Sequence, residues 1–469
     1  MCAESNALPD GCKMTPLGPL PAHWQVVRLE EVFSPVNKKG REEHIQDAQS
    51  YRLLTVRLYA KGVVLRSKQT GARIGTKVLY KTKAGDFVFS KIDARNGAWG
   101  FVPEGLVGGL VSGDFPILQL RRSIADQSFM EFLLSRPVLW EPLRNLAVGT
   151  TNRRRLQVSQ ILLVFIPLPP LPEQRAIAHV LHTVQRAQEA TERVIAALKE
   201  LKKSLMRHLF TYGPVPISAV GATGRSPLRE TELGPLPAHW QVVRLGCLVE
   251  DNILLVRNGF AQGEHNETGK GVPHLRPFNV TDDGNIDLSQ IKYVAPPPDD
   301  DSHWIRPGDV IFNNTNSEEL VGKTAFFSEK GRFVLSNHMT IVRVLKPNIV
   351  DAYWLARTLH HLWYLGLFRG LCRRHVNQAS ISLERLKGVE LPLPPLPEQR
   401  AIADILQAVD RRIAAEEKRR AALQTLFRTL LHDLMTARRR LPADFIAAFA
   451  SERADAPPHT GDPDGASPP

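Results

Sequence analysis

PLPPLPEQRAIA, running from Pro167 to Ala178, recurs letter for letter from Pro392 to Ala403. A second block, LGPLPAHWQVVRL, runs from Leu17 to Leu29 and again from Leu233 to Leu245. The two offsets, 225 and 216 residues, are nearly equal, so the chain is a tandem duplication with a period of about 220 residues. Solenoid repeats have periods of roughly 20–50 residues, so each copy here is a domain-sized unit. Between the matched blocks the copies diverge. Ala84-Gly85-Asp86-Phe87-Val88-Phe89 still aligns with Pro307-Gly308-Asp309-Val310-Ile311-Phe312, each reading as a tight turn that feeds a strand. Asn152 aligns with Asn377, each ahead of an apolar-alternating stretch. A fixed frame with variable contents is the pattern of a scaffold that carries two different reading heads.

The blocks also mark where the character of the chain changes. Before each, residues 15–165 and 231–390 read as mixed strand, loop and helix. Strands are predicted at Lys77–Tyr80, Phe87–Phe89 and Phe333–Leu335, and amphipathic helices over Gln127–Leu146 and Val350–Phe368. After each block the prolines end, and Glu173 and Glu398 fall in the first turn of a helix, where a negative charge suits the dipole. From Glu173 to about Tyr212 no Pro or Gly interrupts. Ile177, Val180, Val184, Ala187, Thr191, Val194, Leu198, Leu201 and Leu205 recur at alternating steps of three and four, a heptad seam. The second helix, Glu398 to about Arg440, shows Ile402, Ile405 and Val409, then Leu423, Leu426 and Leu430. Its middle, Arg411–Arg420, is charged around Ile413.

A one-sided apolar stripe needs a partner. The linker 213–230 joins the far end of the first helix to the second domain. The two helices are therefore expected to pair antiparallel, with the domains related by an approximate two-fold axis. The predicted fold is α+β: two mixed domains at 15–165 and 231–390, long spacer helices within 166–212 and 391–441, and a tail at 442–469, Pro/Asp/Gly-rich from Ser451, expected to be disordered.

Composition limits the function classes. Sixty Lys+Arg against 48 Asp+Glu give a formal charge of +12, compatible with a polyanion partner. Four cysteines lie far apart without a C-x-x-C pair, which argues against a zinc site or disulfide framework and fits a reducing compartment. Neither a signal-peptide core nor a run long enough to span a bilayer is visible, so a cytoplasmic location is expected. Enzyme motifs fail in turn. Gly322-Lys323-Thr324 resembles the end of a P-loop, but Ser317 stands where the first glycine belongs. Asn313-Asn314-Thr315-Asn316 lacks the proline–aromatic pair of an amino-methyltransferase loop, and no dinucleotide or S-adenosylmethionine fingerprint follows a strand.

The two blocks, each proline-EQR run opening a long helix, and the whole plan in duplicate resemble the specificity subunit (HsdS) of type I restriction-modification systems. The resemblance covers nearly all of the chain except the tail. It implies a non-catalytic subunit whose two target-recognition domains each read one half of a bipartite double-stranded DNA site, with an unread spacer between. Because the domains differ, the halves should differ. It further implies two modification (methyltransferase) subunits docked on the helical frame, to which restriction (translocase-nuclease) subunits can be added. No cofactor is expected on this chain; S-adenosylmethionine, ATP and Mg belong to the partners. Alternatives are the recognition subunit of another restriction type, a coiled-coil adaptor that reads no DNA, and a nuclease or methyltransferase in its own right.

Base reading needs Arg or Lys for guanine and Asn or Gln for adenine, with phosphate contacts setting the register. Lys91, Arg95 and Asn96 follow a strand of the first domain, and Asn313, Asn314 and Asn316 hold the corresponding place in the second. These are the base-reading candidates. Phosphate candidates are Arg153, Arg154 and Arg155 near the end of the first domain, and Arg373, Arg374 and His375 near the end of the second. Arg66, Lys68 and Arg73 join them from the acid-free stretch Lys61–Lys83. No metal site is expected.

Overall fold

In a computed structural model, residues 11–146, 155–214, 227–260, 264–297 and 303–450 are described. The chain forms two compact units, Met1–Ala190 with Ala421–Pro469, and Thr191–Arg420. Each long helix gives one half to each unit: the first spans Leu171–Tyr212 and the second Leu396–Met435.

Both units carry the same two sheets. In the first unit a four-stranded antiparallel sheet is ordered Trp99–Phe101, Asp86–Phe89, Ile117–Leu120, Phe33–Pro35. In the second unit the order Thr324–Phe326, Val310–Asn313, Met339–Val344, Leu254–Asn258 repeats it strand for strand. The second sheet repeats as well. Val78–Lys81, Leu110–Val111, Ser50–Val56 and Val63–Thr70 answer to Trp304–Ile305, Phe333–Leu335, Val272–Leu275 and Lys292–Val294. In each, the two middle strands are parallel. The first unit adds Glu42–His44 at one edge.

The aligned Gly-Asp turns have a shared cause. Asp86 and Asp309 are buried where the turn enters the central strand. Each accepts a backbone N–H three residues earlier, from Lys83 and Arg306, both at 2.7 Å. Each is neutralised by an arginine: Arg41 at 2.6 and 3.1 Å, and Arg343 at 2.6 and 2.7 Å. Arg41 comes from a 3-10 turn and Arg343 from a strand, so only the aspartate and its turn leave a visible echo.

The duplicated blocks meet each other. Gln25–Arg28 pairs antiparallel with Phe165–Leu168, and Gln241–Arg244 with Glu390–Leu393. Glu173, buried in the first turn of its helix, accepts from His23 at 2.9 Å and the Trp24 indole at 3.0 Å; Glu398 accepts from His239 and Trp240 at 2.7 and 2.9 Å. Gln174 donates to the carbonyls of Ile124 and Pro169 and accepts from the Asp126 N–H, while Gln399 does the same with Ile349, Pro394 and Asp351. Asp126 and Asp351 in turn cap short helices through the N–H groups of Phe129 and Trp354. A buried amide with three matched partners is costly to replace, and the same three bonds hold this letter in both copies.

Within each unit the halves of the long helices run antiparallel, since rising numbers on one meet falling numbers on the other. In the first unit Ile177, Ala178 and Leu181 share a core with Leu434 and Met435, and Gln188 donates to the Leu423 carbonyl. In the second, Lys199 faces Glu417, Lys202 faces Asp410, and Met206 and Leu209 share a core with Ile402 and Leu406. The seam is rotated from the expected one at several steps. Val194, Leu201, Ile405 and Leu426 are exposed, and Ile195, Lys202 and Leu406 are buried beside them, with Phe427 half-buried.

Three expected elements differ, the first being the helix expected over Val350–Phe368, which runs Ala352–Tyr364 and breaks at Gly366, with φ +81°. The helix expected over Gln127–Leu146 ends at Leu134 and continues as short 3-10 turns, because Pro137 and Pro142 offer no N–H to a longer helix. The tail expected to be disordered from 442 instead begins with a helix, Ala443–Ala447; Phe449 just after it packs on the His179 ring at 5.3 Å, and the Phe449 carbonyl accepts from Arg175. The rest of the tail lies outside the described residues. No helix among the described residues is long and apolar enough to cross a membrane.

Candidate nucleic-acid interface

In the first unit the strand Asp86–Phe89 runs into Ser90 and Lys91, and a turn at Ala94–Asn96 closes on Gly97, with φ +69°. A side chain at Gly97 would strike the Trp140 ring, its Cβ lying 2.8 Å away, so the turn is seated on the core. Lys91, Arg95 and Asn96 are half-buried on it. The Asn96 carbonyl accepts from the N–H of Tyr59, which tops a neighbouring exposed loop.

Lys91 also lies in a basic cluster. Its N–H donates to the Asp114 carbonyl and its own carbonyl accepts from Leu156. Arg155, exposed, reaches the Asp114 carboxylate at 3.2 Å. Lys38 donates to the Phe115 carbonyl at 3.2 Å and sits 4.3 Å over the Tyr80 ring. Its pKa is lowered, first by burial and then by the Lys91 charge. The Asp114 carboxylate acts the other way on Lys38, so part of the positive charge here is already balanced within the cluster. Arg153 and Arg154 adjoin this cluster in sequence but lie outside the described residues.

Arg66 and Lys68 project from the edge strand Val63–Thr70, and Arg73 from the turn after it; all three are exposed. The stretch Lys61–Lys83 is less free than its lack of acids suggests. Lys77 pairs with Asp47, which lies in a turn, and Lys81 with Glu43 of the edge strand.

In the second unit the asparagines separate. Asn313 and Asn314 were candidates for base contact, and the structure corrects both. Asn313 is fully enclosed, its amide donating to the Pro277 carbonyl at 3.1 Å. Asn314 is 5% exposed and spends its amide on Asn258, the Asn337 carbonyl and Thr340. Both belong to the corner where the central strand leaves the sheet. Asn316 is half-buried on a small three-stranded sheet in which Thr315–Asn316 pairs with Ala379–Ser380, and that strand with Arg373–Arg374.

That sheet brings Asn316, Arg373, Arg374 and His375 together. Arg374 is tied to Glu318 at 2.8 Å, and the same carboxylate holds Arg369 at 3.0 Å. His375 contacts the Ser380 hydroxyl at 3.1 Å. Beyond them Val376, Asn377 and Gln378 form an exposed tip. Sequence reasoning missed this hairpin and Lys38. A dibasic turn, Lys38-Lys39, and a Val-Asn-Gln run directly after Arg373-Arg374-His375 were the signals they left.

The described residues contain no group of three or more His, Cys, Asp or Glu placed to hold a metal ion. His265 and His274 do touch, at 2.9 Å. Burial, then the charges of His265 and Arg276, pushes His274 down to about 4.

The family model described as Type I restriction modification DNA specificity domain matches the chain twice, over residues 21–200 and 238–425. The chain is similar to the candidate type I restriction enzyme specificity subunit MjaX of Methanocaldococcus jannaschii, 23% identical over 445 residues, or 92% of this chain and 96% of that one. The MjaVIII specificity subunit of the same organism is 24% identical over 59% of this chain and 62% of its own length. Among solved structures, the S subunit of a type I restriction-modification system from M. genitalium shares the fold. It has a TM-score of 0.53 at 16% identity and covers 90% of this chain and 99% of its own. Matching sheets on a duplicated frame, and two matches to one specificity domain, lead to one conclusion: the chain belongs to the type I restriction-modification specificity subunit family and carries two copies of its DNA specificity domain.

Proposed function

We propose that each unit reads one half of a bipartite double-stranded DNA target and that the two halves differ in sequence. The observation that carries this reading is the pairing of identical topology with unlike surfaces. In the stretch after the central strand, the first unit presents Lys91 near Arg155 and Lys38, and the second presents a small sheet with Asn316 on one edge strand and Arg373 on the other, and His375 at its end. Side chains of these types supply phosphate contacts and base-edge hydrogen bonds in different combinations.

On this reading the chain is itself non-catalytic and works in the cytoplasm. Methyl transfer belongs to two modification subunits, with S-adenosylmethionine, and cleavage to restriction subunits, with ATP and Mg. Docking of two like partners is supported by the frame. The first block lines an apolar groove in each unit, through Leu17, Pro19 and Leu20 in one and Leu233, Pro235 and Leu236 in the other. A partner fitted to this strip, which Pro167 and Pro392 extend, meets it again in the second groove, whose other lining residues differ.

Methylome sequencing of host cells with and without this gene, the modification gene being present in both, tests the proposal. One methylated motif with two unlike halves and a fixed gap should vanish when the gene is deleted. A methylome that does not change, or a symmetric motif, contradicts it. Purified alone, the chain should neither methylate nor cut DNA.

A further inference from the structure

We infer that the hairpin Arg373–Ser380 is the base-reading element of the second unit, with Val376, Asn377 and Gln378 as its reading tip. The inference rests on the DNA-reading role proposed above and adds the element and the side chains that do the reading.

The hairpin has a rigid root and a solvated end. At the root, Arg373 pairs with Ser380 and Arg374 with Ala379, and the loop closes through the His375 N–H on the Gln378 carbonyl at 2.8 Å. The returning strand also pairs with Thr315–Asn316, and the Ile381 N–H donates to the Asn314 carbonyl at 2.8 Å. Asn314 is pinned from three sides inside the unit, so the ribbon grows from a fixed corner of the core. At the tip, Val376 is 99% exposed, and Asn377 and Gln378 are exposed as well.

A lone exposed valine needs no explanation. This one stands on the turn that caps the small three-stranded sheet, beside the two residue types that bond an adenine edge in bidentate fashion in the major groove. Valine itself suits the apolar contact offered by a thymine methyl. No acidic residue occurs from Gly370 to Ser382, so nothing on the ribbon repels phosphate. Arg374 is held back by Glu318, whereas Arg373 is exposed at the ribbon's edge. Phosphate contact at the root with base contact at the tip is the division of labour that sets register and reads sequence. A pre-shaped ribbon avoids most of the ordering cost that a flexible loop pays on binding.

The test uses the full complex of this chain with its modification subunits, methylating a plasmid library in which the target is randomised. Asn377→Ala, Gln378→Ala and Val376→Ala alter only solvated side chains, so the fold is retained. Asn377→Ala or Gln378→Ala should lose roughly ten- to a hundredfold discrimination at one or two positions in one half of the target, leaving the other half intact. Arg373→Ala should slow methylation evenly across all sequences and flatten its salt dependence. If the tip variants keep the wild-type preference at every position while wild type shows a bipartite target, the inference is overturned and the proposed function stands. If the wild-type complex shows no preferred target, both fall.

Discussion

The two units grip the long helices at the same point by opposite chemistry. Six residues beyond the capping aspartate stands Phe132 in the first unit and Arg357 in the second. Phe132 packs on the His182 ring at 4.7 Å and on Phe427 at 5.9 Å. Arg357, 2% exposed, meets Asp410 at 2.6 Å, and the same carboxylate takes Lys202, also at 2.6 Å, and the Tyr353 hydroxyl. Roughly two to three turns back along each long helix the anchors are identical: Glu173 and Gln174 in one unit, Glu398 and Gln399 in the other. The frame is therefore fixed where a helix is fastened to its domain and free where the domain merely leans on the helix. An apolar contact adapts to small misfits. A buried triad holds only while every charge has its partner, and burial, followed by the Arg357 charge, already draws the Lys202 pKa down to about 8.

Acid should separate the units most strongly. In the second unit burial, then the Arg207 charge, pushes His361 down to about 4, and burial, then Arg357, puts His360 well below its ordinary range. His274, at about 4, behaves alike. Each is neutral in the fold, whereas the unfolded chain takes up its protons near pH 6.5. Stability is therefore lost as pH falls from 6.5 towards 4, by about 2 kcal/mol at pH 5 for His361 alone, with the others acting in the same direction. The first unit has His182 shifted down by burial and Arg186, but Glu131 shifted up by burial, which works the other way. Hydrogen exchange resolved along the chain should show residues 191–420 opening first between pH 6.5 and 5. Simultaneous opening of both units would remove the contrast.

Next in size is the triad. Asp410→Ala leaves Lys202 and Arg357 buried without their shared carboxylate and should cost about 3–5 kcal/mol in denaturant unfolding. Phe427→Ala, at a half-buried site, should cost nearer 2 kcal/mol. Equal losses would mean that the charged layer is no more demanding than the aromatic one. A third pair should show no contrast. Gln174→Ala and Gln399→Ala each strand three matched backbone groups and should cost about the same, roughly 1–3 kcal/mol. A clear inequality would show that the fastening points are not equivalent. Val376→Ala should be smallest, within about 0.5 kcal/mol, since its side chain touches little but water.

The frame was legible because duplication made it so. The proline-EQR run, the Ala-His-Trp run and the Gly-Asp turns all proved to be contacts repeated in both copies, and the long helices begin and end close to where the absence of Pro and Gly placed them. The seam was harder to place. Counting apolar letters chose Leu201, but the inward residue is Lys202, whose burial depends on Asp410 more than 200 residues away. Asn313 and Asn314 read as loop chemistry because short polar runs give no sign that a strand end is enclosed. The hairpin stayed hidden for a related reason. Its strands, Arg373–Arg374 and Ala379–Ser380, are two residues long, too short for any periodicity to register. Lys38 needed the fold to bring it near Lys91.

Exchanging residues 34–150 for the corresponding segment of another specificity subunit, with the frame blocks untouched, addresses the core of this account. Sequencing the DNA methylated by the hybrid complex gives the answer. A new sequence is expected in one half of the target, with the other half and the gap between them unchanged. A hybrid that alters both halves, or neither, would contradict it.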